Sequence, residues 1–87
     1  MTDSEIINMG KSIQDFLSNK GLDSAKPKDL MPWLIEKGFF KSDNRAGLPL
    51  REVLRKLDGE KKLNLLPNLV VERKEKNRYW SFVRLVS

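Results

Sequence analysis

Six arginines in a chain of 87 residues, all of them after position 44, are the side chains whose type and spacing suggest chemistry. Arg51 and Arg55 stand four apart, with Lys56 beside them, and Arg73, Lys74, Lys76 and Arg78 put four cations into six residues against the single acid Glu75. A guanidinium offers a planar fork of donors that matches a phosphate, and like charges four apart on a helix repel by a few tenths of a kcal/mol (roughly 0.2–0.5) that a shared anion would remove. The chemistry indicated is recognition of an anion. Two plainer readings stay open. Arg55 turning to Asp58 and Lys56 pairing with Glu52 would make an ordinary solvated helix face, and cations on a hairpin also discourage edge-to-edge aggregation.

Bond-making chemistry finds no support. The chain has no His and no Cys, which removes the usual zinc ligands and any disulfide. No phosphate-cradling glycine motif, metal-ligand cluster or nucleophile elbow stands in the sequence. The expectation is a protein that is no enzyme, with no cofactor, no metal and no small-molecule substrate. Tyr79, Trp80 and Phe82 beside the cations resemble stacking aromatics, but alternation along a strand sends Trp80 and Phe82 to the core and leaves Tyr79 available. Lys41 and Arg45 flank Asp43 and Asn44 in a polar stretch, where phosphate contacts and a plain connector are both reasonable readings.

The charge is divided along the chain. Residues 1–44 hold six Lys against seven acids, whereas residues 45–87 hold five Lys and six Arg against five acids. That asymmetry says where an anionic partner would touch. No stretch approaches 18 apolar residues and no secretory signal opens the chain, so the expectation is a soluble, cytoplasmic protein with no membrane partner.

The elements that must hold these residues follow from periodicity. Thr2 and Glu5 fit a capping box, and Ile6, Ile7, Met9, Ile13, Phe16 and Leu17 predict a helix over about 3–19, closed by Gly21. Leu30, Trp33 and Leu34 predict a second helix over about 29–37. It should begin no earlier than Lys28 or Asp29, because Pro32 is harmless only in a first turn, and it should end at Gly38. Leu50, Val53, Leu54 and Leu57 form the stripe of a third helix that opens at Pro49 and ends at Gly59. Leu63 to Asn68 is an apolar connector. Leu69–Arg73 and Tyr79–Leu85, rich in β-branched and aromatic residues around five polar ones, predict a hairpin. The fold class expected is α+β: a three-helix bundle followed by a C-terminal β-hairpin, one domain over 1–87.

Three glycine-stopped helices, the segment Leu48-Pro49-Leu50-Arg51-Glu52-Val53-Leu54-Arg55-Lys56-Leu57 and a hairpin tip reading Arg73-Lys74-Glu75-Lys76-Asn77-Arg78 resemble the winged-helix superfamily. The resemblance spans nearly the whole chain. It implies a third helix that enters the major groove, carrying Arg51, Arg55 and Lys56, and a wing carrying Arg73, Lys74, Lys76 and Arg78. The link from Gly38 to Leu48 departs from the short turn of a tight helix-turn-helix. The function expected is nucleic-acid binding, to double-stranded DNA first, with RNA not separated from it. The alternative is a protein-interaction or dimerisation module with an apolar patch around Phe39, Phe40, Leu65 or Leu66, since such folds also dock proteins.

Overall fold

The computed structural model describes residues 1–43 and 47–85. Helix α1 spans Asp3–Lys20, strand β1 Ser24–Ala25, helix α2 Pro27–Glu36, helix α3 Leu48–Gly59, a 3-10 turn Leu63–Leu65, strand β2 Leu69–Arg73 and strand β3 Arg78–Val83. The fold is α+β, as the periodicity predicts.

The first helix starts as its sequence requires. Thr2 Oγ1 accepts from the Glu5 N–H and the Glu5 carboxylate accepts from the Thr2 N–H, both at 3.2 Å, which satisfies two amides that a helix start leaves open. Ile6, Met9, Ile13 and Leu17 line its buried side.

Helix α2 departs from expectation. It starts two residues early, because Pro27 and not Pro32 takes the first helical position. Pro32 then lies inside the helix, where it cannot donate to the Lys28 carbonyl. Both residues are exposed, so water can meet that carbonyl.

Each helix ends in the same motif, with paired bonds from the two residues beyond the cap back into the last turn. In α1 the bonds are Leu22 N–H to Leu17 O and Gly21 N–H to Ser18 O, and in α2 they are Phe39 to Leu34 and Gly38 to Ile35. In α3 they run from Lys62 to Leu57 and from Lys61 to Asp58. The expected stop at Gly59 is therefore two residues early. Gly59 stays helical, and the left-handed position falls on Lys61 at φ 58°.

The sheet has one more strand than the hairpin predicted. Its order is β1-β3-β2, all antiparallel, with Ser24 and Ala25 paired to Val83 and Phe82. The segment before Pro27, expected to be extended or turning, thus finds its partner across some sixty residues of sequence, beyond the reach of local pattern. Leu69 pairs with Phe82, Val71 with Trp80 and Arg73 with Arg78. Trp80 and Phe82 are 5% and 0% exposed and pack among Leu30, Met31, Leu34, Leu50, Leu54 and Leu57, so the sheet closes the helical core. Trp33 lies at the flank of this core, half-buried, with its Nε1–H donating to the Ser12 carbonyl and hydroxyl at 3.0 and 2.9 Å.

Candidate functional site

The N-terminus of α2, the outer side of α3 and the start of β3 enclose an open groove of about 390 Å³. Lys26, Lys28, Arg51, Arg55 and Arg78 line it together with Pro27, Asn77, Tyr79 and Trp80, so that among the described residues its lining has five cations and no carboxylate.

Each wall has a local cause. Pro27 starts α2, which sets Lys26 at the cap and Lys28 in the first turn. Cations are disfavoured at that end of a helix, where the peptide dipoles already leave positive charge. Asp29, whose carboxylate accepts from the Lys26 N–H at 3.3 Å, offsets part of this. Helix α3 is brought alongside by Gly47, which is buried and left-handed at φ 82°, and whose N–H donates to the Asp43 carboxylate at 3.1 and 3.2 Å. Arg51 and Arg55, one turn apart, then face the groove, Arg51 half-buried and Arg55 exposed.

The opposite wall is the hairpin. Lys74 N–H donates to the Asn77 carbonyl at 2.8 Å and closes the turn. Side chains alternate beyond it, so Arg78 shares the inward face with Trp80 and Phe82, while Tyr79 points outward and is 54% exposed. The Arg78 guanidinium stands 5.6 Å from the Trp80 ring centroid, within cation–π range.

Asp58, in the last turn of α3, ties hairpin to helix. Its two oxygens accept from Arg73 at 2.8 and 3.1 Å, and Oδ2 also accepts from Arg78 at 2.6 Å. The bidentate Arg73 fork and then the Arg78 bond lower the Asp58 carboxyl to a pKa of about 2, and the Arg73 guanidinium is held above its usual range by the same contact.

The predicted site residues divide accordingly. Arg51, Arg55 and Arg78 meet in the groove. Lys56 does not, and lines a separate small cavity with Asp3, Glu60 and Lys62. Arg73 lies behind Asp58, and Lys74 pairs with Glu72 at 2.6 Å. Lys76 is exposed at the tip and Lys41 in the segment after α2. Arg45 lies outside the described residues, as does Asn44. The plainer alternative, Arg55 turned to Asp58, gives way to Arg73 and Arg78, which occupy that carboxylate. Lys26, Lys28 and Asn77 join the groove without having been singled out. The run Lys26-Pro27-Lys28 carries the signal for two of them, since a proline at the first helical position brings both neighbours to the helix start.

The apolar patch suggested for a protein partner is largely consumed by the core. Leu66 is buried, and Phe39, Phe40 and Leu65 are half-buried against it. Among the described residues no group of three or more His, Cys, Asp or Glu could hold a metal ion, and no helix is long and apolar enough to cross a membrane. No family model, curated protein or solved structure matches this chain.

Proposed function

We propose that this chain binds nucleic acid, double-stranded DNA in the first place, as a non-catalytic domain of winged-helix type. The observation that carries the reading is the groove where the third helix meets the hairpin, lined among the described residues by five cations and no carboxylate. Phosphates fit it on two counts. The convergent cations supply a local positive potential, and Arg51 and Arg55 supply planar forks at one-turn spacing. The long segment between α2 and α3 does not prevent this, since Gly47 against the start of α2 brings the third helix alongside the second. Contacts of this kind hold the sugar-phosphate backbone and depend little on sequence. An intracellular location goes with that reading.

The test separates groove cations from cations elsewhere. Lys28→Ala and Arg55→Ala each weaken binding to a mixed-sequence duplex and lower the salt dependence by about one unit of slope, while Lys56→Ala, outside the groove, leaves both nearly unchanged. Equal losses from all three would assign the effect to overall charge and not to the groove.

A further inference from the structure

In the groove, the Arg78 guanidinium is held by a carboxylate from another element, Asp58 of α3. Arg73 and Arg78 face each other on the last rung of the hairpin, and like charges in that position repel. The Asp58 carboxylate bonds to both. Its own position is unfavourable by itself, since a negative charge in the last turn of α3 opposes the helix dipole. The two arginines compensate it, and its side chain is only 15% exposed. On its other side Arg78 meets the Trp80 ring and opens toward the groove.

We propose that Asp58 is a positioning residue for the groove: by holding one edge of the Arg78 guanidinium, it presents the rest to a nucleic-acid phosphate. This rests on the nucleic-acid reading above. An arginine already fixed in its bound rotamer loses less side-chain freedom on binding than one that must be ordered by its ligand. The consequence runs against simple electrostatics. Removing a carboxylate beside an anion site raises the net charge from the present +5 and should strengthen binding to a polyanion. If Asp58 positions Arg78, its removal weakens binding instead.

The experiment uses the full chain and a short mixed-sequence DNA duplex at about 0.1 M salt. Wild type, Asp58→Asn, Arg78→Ala and the double variant are titrated, with circular dichroism to establish that each is folded. Asp58→Asn is expected to bind about three- to tenfold more weakly, and the loss is expected to vanish once Arg78 is already Ala. Asp58→Glu should restore part of it. A loss that persists without Arg78 means that Asp58 merely supports the hairpin, and tighter binding by Asp58→Asn means that it only subtracts charge. Either result overturns the proposal and leaves the groove reading standing. Absence of binding by the folded wild type overturns that reading, and the proposal with it. If Asp58→Asn does not fold, the Arg78 Nη–H resonances of the wild type decide, since Nη1 is the donor to Asp58: slow exchange with water supports a held guanidinium, and fast exchange overturns the proposal.

Discussion

A Cβ placed on Gly47 would lie 2.7 Å from the backbone nitrogen of Lys28. The start of α3 and the start of α2 therefore touch backbone to backbone, and this contact sets two walls of the groove side by side. No other residue fits, because the position is also left-handed, at φ 82°. Gly47→Ala is expected to cost about 2–4 kcal/mol, combining the left-handed penalty with overpacking against a backbone that cannot yield. Urea denaturation measures it, and a change below about 0.5 kcal/mol, the scatter of ordinary surface substitutions, would mean that the contact is not formed.

Lys61 supplies the opposite case. It holds a left-handed conformation at the end of α3 that glycine holds at the ends of α1 and α2. Lys61→Gly should raise stability by about 0.5–1 kcal/mol, the relief of strain less the greater freedom of glycine in the unfolded chain. The same denaturation experiment reads it, and a loss of stability would show that the Lys61 side chain contributes more than its backbone strain costs.

The Asp58 carboxyl is lowered from 3.8 to about 2 in the folded protein. A group whose pKa falls on folding stabilises the fold above its unfolded value, and the contribution is lost as pH drops through the folded value. Wild type should therefore exceed Asp58→Asn in stability at and above about pH 5, and the gap should close between about pH 4 and pH 2. A gap that stays constant through this window would remove the ion cluster as its source.

Two residues on opposite faces of β3 should respond in opposite ways. Phe82 is fully buried on the central strand, and Phe82→Ala is expected to destabilise by about 3–5 kcal/mol. Tyr79, one face away and in the groove wall, should change stability by less than about 0.5 kcal/mol as Tyr79→Ala, while weakening DNA binding severalfold. Comparable stability losses from both would place Tyr79 in the core.

Much of this was legible in the sequence where the physics is local. The capping box at Thr2, the stripe from Ile6 to Leu17, the glycine stops after α1 and α2, and the inward alternation of Trp80 and Phe82 all depend on residues a few positions apart. Elements that depend on distant partners were not. Ser24 and Ala25 become a strand only because β3 lies beside them. The choice between Arg55 facing an anion and Arg55 turning to Asp58 stays open in the sequence, because spacing along one helix says nothing of the hairpin arginines that take the carboxylate. Lys26 and Lys28 escape the sequence reading because it places Pro32, not Pro27, in the first turn of the helix. The groove is thus a product of tertiary packing from residues that, in sequence, form three separate basic runs.

The central claim is tested most directly by titrating the unmodified chain with a mixed-sequence DNA duplex over a range of salt concentrations. With about four to five phosphates neutralised by the groove cations, log K should fall against log salt with a slope near −4. A slope near zero, or no binding at low salt, would contradict the account and leave the groove as a solvated surface.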